Sequence, residues 1–495
     1  MLNWEAELSL QNGYRDIEQL RVPVFSSAMM YSNNQTMIME QDSIYTLDLD
    51  SNTTGSLIFN NVLYEKVFAQ IELLSRYQFG CVEQTSSKLK ALLLKDKIHQ
   101  SLGIKESSQK EINSLINRLD DFQNRDGSWG WWRKQNRDHR ITIYATEILQ
   151  MASLSGYTNN LYLKGQDYLM NEIETFSISD QLYALYVLSK SNISESYLKP
   201  LLSKISIDNL QLIDKLYYYK LQQLMGIAIP KHALYAVFQE INNASKRMHT
   251  GNFFYDAKGD IFSAYSLFDG TSMADNYLQT FKLKLEFGQL EDNLNTFTRA
   301  ALIEGLTKLS LQTNQKPIQA EVIVNDTLHI KTFPYTLPLN SAHYTMKHRG
   351  GKVFLNTAEE RTIENPVPHD SAFSIRTFID QEGRRNDTVA VGQRCQLHVQ
   401  ISSFHKATHV MIEIPIPAGF RVIKKENINS TNEYIEYQKS KVIIFKSLFN
   451  LGTEELLIEL QPVFRGDFTM PASKISLMYY PFVFGNNENQ RIYIR

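Results

Sequence analysis

Residues 77–88 read YQFGCVEQTSSK. Cys81 stands there between aromatic residues and a Glu-Gln pair, in a chain of 495 residues that has only two cysteines. A helical pattern opens behind it, because Leu89, Leu92 and Leu93 follow on one face. Cys81 and Gln84 are three residues apart, so on a helical turn they share a face, with Cβ atoms about 5–6 Å apart. A thiol and a carboxamide at that spacing can react. Loss of ammonia would join the sulfur to the glutamine side-chain carbonyl as an internal thioester, an acyl group stored at higher energy than an ester or amide. Such a bond must stay dry. Tyr77 and Phe79 are candidates for part of an apolar lid, and Gly80 is expected to permit a sharp entry into the helix.

Outward from this stretch the helical period is wide. Leu63, Val67, Ile71 and Leu74 fall on one face, as do Ile112, Leu115, Ile116 and Leu119, and the pattern runs from about residue 57 to about Leu309. Roughly a dozen short amphipathic helices with brief polar loops are expected, stacked as hairpins and closed into a ring. The flanks read differently. Before residue 57, runs such as QLRVPVFSS and SIYTLDLD sit between turn residues and suit strands. After LQTNQKPIQAEVIVNDTLHI the period is two. In CQLHVQI, Cys395, Leu397, Val399 and Ile401 point one way and Gln396, His398 and Gln400 the other, which places Cys395 in a strand core. Similar runs to the C-terminus predict an antiparallel sandwich of about seven strands. The outline is β, then α, then β, and the length predicts two to four domains.

Composition narrows the partners. Hydrophobic residues are 43% and charged residues 21%, as in folded globular chains. A net charge of −2 gives no global field for nucleic acid or an anionic membrane, so no nucleic-acid partner is expected. No apolar run is long enough to cross a bilayer, and MLNWEAELSLQNGYRD is not a signal peptide, so the chain alone reads as soluble. Two cysteines allow one bridge at most, so disulfides do not hold the fold together. No cofactor or metal site is read.

GCVEQTSS resembles the thioester motif of the α2-macroglobulins and complement thioester proteins, above all the bacterial α2-macroglobulins. LDDFQNRDGSWGWW followed by ITIYATEILQMA is similar to that family's thioester-domain segment. IPIPAGF and FRGDFTMPASKISLMYYP are similar to its C-terminal β-sandwich, so the resemblance covers nearly the whole chain in the right order. It implies a multidomain α+β chain in which an α/α-toroid thioester domain, residues 57–310, is inserted in a CUB-like β-domain made of residues 1–56 and 311–370. A macroglobulin-like, receptor-binding-type β-sandwich, residues 371–495, follows. It implies a thioester between Cys81 and Gln84, with Tyr479 and Tyr480 as candidates for shielding it alongside Tyr77 and Phe79. It also implies a stoichiometric inhibitor of endopeptidases, not an enzyme, that captures lysine amines of proteases. The expected setting is the periplasm, cell envelope or extracellular space, with a possible envelope partner. The family's upstream macroglobulin domains and bait region are absent here, so the chain is expected to be the C-terminal part of a larger protein. No histidine stands where complement-type members place their transacylation histidine: His139 comes too early and His232 too late.

Other readings compete. Cys81 could be a buried core cysteine beside a helix cap. Glu83 reads as a solvated first-turn carboxylate without a chemical role. Trp129, Trp131 and Trp132 read as packing between hairpins, with a ligand pocket as the alternative, and His139 as solvated or capping. At the level of function, the alternatives are a covalent adhesin or opsonin-like module using the same bond, and an α/α-toroid lyase or cyclase. The last would need a carboxylate cluster or metal ligands at the mouth of the ring, and none is visible in the sequence.

Overall fold

The computed structural model describes residues 2–9, 15–22, 28–40, 42–50, 53–75, 80–132, 137–191, 193–208, 210–244, 254–269, 276–286, 294–312, 319–381, 384–423 and 433–495. Within them are twelve α-helices. These are α1 (Leu63–Ser75), α2 (Val82–Leu102), α3 (Gln109–Phe122), α4 (His139–Leu154), α5 (Leu161–Glu172), α6 (Ile178–Ser189), α7 (Glu195–Ser203), α8 (Leu212–Leu224), α9 (Lys231–Ala244), α10 (Ala257–Phe268), α11 (Asn276–Glu286) and α12 (Thr296–Gln312). Their starts follow capping chemistry. Asp138, Ser177 and Asp256 each accept a backbone N–H of the first turn, of Ile141, Asp180 and Lys258 respectively. Gly103, in the left-handed region at φ 70°, closes α2.

Two kinds of helix alternate. α2, α4, α6, α8, α10 and α12 touch in succession, and α12 returns to α2. The others lie against one or more members of this series. Burial follows the division: α3 hides a single stripe of Ile112, Ile116, Leu119 and Phe122, whereas α2 and α12 are buried on most sides.

Strands from both sides of the helices pair with one another. One four-stranded sheet runs Met29–Met39, Val353–Ile363, Thr53–Asn60, Tyr335–Pro338, and a second runs Ser43–Asp48, His343–Gly350, Ala320–Val324, Leu328–Ile330. They share a core that includes Leu57, Phe59, Val322, Tyr344, Met346 and Leu355. The helices are therefore inserted between two parts of one β-structure. Thr53–Asn60 stays a strand beyond residue 56, where a helical period was expected to begin. Ser56 to Asn60 are buried on both faces, so the stretch lacks the alternation that marks a half-exposed strand.

Contacts divide the chain into residues 32–361 and a second unit of residues 1–31 with 362–495. In the second unit, Phe373–Gln381, Cys395–Ser403 and Gly452–Pro462 form the middle of one five-stranded sheet, and Lys441–Phe449, Ala407–Pro415 and Lys474–Leu477 the middle of another. A three-stranded sheet includes Gln490–Ile494. Thirteen strands lie between Phe373 and Ile494 among the described residues, where about seven were expected. Pieces such as Arg384–Arg385 and Thr388–Val389 are too short to display a period. CQLHVQI behaves as read, with Cys395 buried and its neighbours alternating.

Candidate functional site

α2 begins at the motif. Cys81 is its N-cap, in extended conformation at φ −66° and ψ 173°. The Gln84 backbone N–H points to Cys81 Sγ at 3.5 Å, and the Cys81 N–H donates to Gln84 Oε1 at 3.4 Å. This is a capping box with a thiol in place of a hydroxyl. It holds the sulfur and the carboxamide on one turn, each 0% exposed. Gln84 Nε2 is buried and has no hydrogen-bond partner among the described residues. A buried amide nitrogen without a partner costs about 1–3 kcal/mol.

The setting is polar yet dry. Every residue from Cys81 to Ser87 is buried. Glu83, expected at the surface, is 0% exposed, a correction with a plain cause. Its two oxygens accept from Ser87 Oγ at 2.7 Å and Thr296 Oγ1 at 2.8 Å, so α12 supplies in the interior what water supplies outside. Ser87 in turn shares a hydrogen bond of 2.9 Å with Tyr144 on α4. Burial, then the charge of Glu83, holds the Tyr144 phenol well above its ordinary range.

The tryptophan loop clamps the entry. Val82 N–H donates to the Trp131 carbonyl at 3.0 Å. Trp129 Nε1 donates to the Leu119 carbonyl and Trp131 Nε1 to Asp138, both at 2.9 Å. All three tryptophans of the loop are buried, as the packing reading expects. Arg118 on α3 donates through Nη2 and Nε to the Gly80 carbonyl at 2.9 and 3.2 Å. A Cβ on Gly80 would lie 2.6 Å from that guanidinium, so glycine leaves room for Arg118, and no left-handed entry into the helix is involved.

Tyr77 and Phe79 lie outside the described residues. Tyr479 and Tyr480 belong to the second unit, where both are buried. There Tyr479 meets His409 edge-on at 5.5 Å, and Tyr480 opens the strand Tyr480–Asn486 behind a bulge. His139 stacks on Phe176 at 4.2 Å, and His232 is exposed on α9. His99 sits near the far end of α2, about 27 Å from Cys81 along the axis.

A second cluster escaped the sequence. Arg140 on α4 pairs with Asp180 of α6 at 2.7 Å, donates to Tyr255 OH at 2.9 Å and lies 3.9 Å from Asp214 of α8. Burial, reinforced by Asp256 and Asp214, holds Asp260 of α10 well above the usual carboxylate range. Asp180, Asp214 and the pair Asp256 and Asp260 come from three separate helix starts, so no local spacing joins the three. Arg140 takes up part of their charge, and no group of three His, Cys, Asp or Glu side chains among the described residues could hold a metal.

Comparison with known proteins fits this architecture. Residues 374–481 match the family model of the bacterial alpha-2-macroglobulin MG10 domain. Alpha-2-macroglobulin of Thermotoga maritima is 27% identical over 187 residues, which are 37% of this chain and only 12% of that protein. The fold is shared with the crystal structure of native alpha-2-macroglobulin from Escherichia coli spanning domain MG7 to the C-terminus, with TM-score 0.79 and 16% identity over 100% of this chain and 87% of that one. It is shared also with Salmonella alpha-2-macroglobulin reacted with methylamine, with TM-score 0.75 and 16% identity over 99% of this chain and 36% of that one. Residues 374–481 thus match a bacterial α2-macroglobulin domain, and the chain as a whole has the fold of the C-terminal part of the Escherichia coli and Salmonella proteins.

Proposed function

We propose that Cys81 and Gln84 join as an internal thioester and that the chain serves a protease trap of the α2-macroglobulin type. One observation carries the reading. The capping box holds Cys81 Sγ and the Gln84 carboxamide on one buried turn, and the nitrogen left without a partner, Nε2, is the atom that thioester formation expels. In that step Sγ bonds to Gln84 Cδ, the Cδ–Nε2 bond breaks, and the thiol proton leaves with the nitrogen as ammonia. An amine of a captured protease, at a lysine side chain, then takes the acyl group and Cys81 departs as thiolate. The capture is stoichiometric, so the protein is an inhibitor and not a turnover enzyme.

The same reading extends to the architecture. The closed succession of α2, α4, α6, α8, α10 and α12 supports an α/α toroid as the thioester domain. The paired sheets between residues 32 and 60 and between 320 and 361 suit a CUB-like domain that holds it, and the sheets after residue 371 suit a macroglobulin-like sandwich. The proposed setting is the periplasm or cell envelope, with macroglobulin and bait domains as partners in the full-length protein. No helix among the described residues is long and apolar enough to cross a membrane.

Intact mass tests the bond. Freshly prepared full-length protein is expected to be lighter by one ammonia. Methylamine should then release a thiol at Cys81 and leave a methylated amide at Gln84. An unmodified Gln84 beside a free Cys81 would refute the proposal.

A further inference from the structure

The thioester reading leaves open what makes Cys81 depart. Three sources of positive potential lie on the Cys81 side of α2. The first is the start of the 21-residue helix α2, whose Gln84 N–H already points to Sγ. The second is Lys88. Seven residues of α-helix turn through about 700°, so Lys88 lies within about 20° of Cys81 around the axis, on the stripe that also carries Gln84. Its side chain is half-buried, and it interacts electrostatically with Cys81, Glu83 and Arg118. The third is Arg118, pressed by two hydrogen bonds onto the carbonyl of Gly80, the residue before Cys81.

Two carboxylates near the motif have partners of their own. Glu83 is about 200° around the helix from Cys81, and its oxygens are engaged by Ser87 and Thr296. Asp138 accepts from Ile141 N and Trp131 Nε1. On α4 and α12, Tyr144 and Thr296 bond to this network, while Glu147 of α4 pairs with Lys190 and Glu304 of α12 with Lys90. Burial, then Arg118, holds the Lys88 amine below the ordinary lysine value, while Cys81 and Glu83 pull it back up.

We propose that Lys88 and Arg118 are positioning residues for the release of Cys81, holding positive charge on its side of α2 so that it leaves readily when an amine takes the Gln84 acyl group. In that step the amine nitrogen bonds to Gln84 Cδ. The Cδ–Sγ bond breaks with its electron pair on Sγ, and the proton of the new ammonium passes to solvent. The thiolate is the species the two cations stabilise. The role rests on the thioester reading.

The test uses full-length protein opened with methylamine. Ultraviolet thiolate absorbance against pH gives the Cys81 titration, and the rate of thiol release gives the opening step. Lys88→Met is expected to raise the thiol titration by about one unit and to slow methylamine opening about threefold. Lys88→Arg keeps the charge and should retain wild-type values for both. Arg118→Met gives an independent second reading with the same direction, and circular dichroism checks that each variant is folded. Wild-type titration and rate in both folded Met variants would overturn this role alone. A wild type that releases no thiol with methylamine would overturn the thioester reading and this role with it.

Discussion

Glu83→Ala is the substitution that most directly probes the buried network under α2. The carboxylate has 0% exposure and accepts from Ser87 at 2.7 Å and Thr296 at 2.8 Å. Hydrogen bonds to a charged group contribute about 1.5–3 kcal/mol each, so the two total about 3–6 kcal/mol. Removing the carboxylate also removes its own desolvation cost, which offsets part of the loss. A net destabilisation of about 3 kcal/mol follows. Glu83→Gln keeps an acceptor and the shape, and should cost about 1–2 kcal/mol. Three of the four tryptophans, Trp129, Trp131 and Trp132, lie in the loop that clamps α2, so urea unfolding followed by tryptophan fluorescence reads this part of the molecule. A double-mutant cycle with Thr296→Val isolates the contact between α2 and α12 and is expected to give a coupling of about 1.5–3 kcal/mol. A loss below about 0.5 kcal/mol in Glu83→Ala, the range of neutral surface changes, would refute the argument.

Cys81→Ser should keep the capping box and its stability while abolishing methylamine incorporation, whereas Cys81→Ala should also lose about 1 kcal/mol of stability; incorporation in the serine variant, measured by mass, would contradict the assignment. Burial works against ionisation of Glu147, but Lys190 and Lys90 together with the Tyr183 hydroxyl outweigh it and hold the carboxyl at about 2, below its ordinary 4.5. A depressed carboxylate stabilises the fold above the unfolded value, so up to about 3 kcal/mol should be lost as pH falls from 4.5 toward 2. Parallel stability profiles for wild type and Glu147→Gln over that window would show that the pairing contributes nothing. Because no histidine is assigned to Cys81, methylamine should outcompete glycerol for the activated acyl group; efficient glycerol ester formation, seen by mass, would point to a histidine brought in by the fold.

The linear order alone determined much of this protein. The spacing of Cys81 and Gln84, the wide helical period from Leu63 onward and the alternation at Cys395 are local features, set by 3.6 and 2.0 residues per repeat, and they are legible without coordinates. So was the resemblance to the bacterial α2-macroglobulins, through motifs spread along the chain. Whatever depends on partners distant in sequence was decided only by the tertiary structure. Glu83 reads as a surface acid until Thr296, 213 residues later, supplies a hydroxyl to its second oxygen. Gly80 reads as the residue for a sharp entry into the helix until the Arg118 guanidinium is found where its Cβ would lie. Asp180, Asp214 and Asp260 stand on three helices, and only the packing of those helices around Arg140 makes them a cluster. The run from Ser56 to Asn60 hid its strand because both faces are buried, and a period of two appears only where one face meets water.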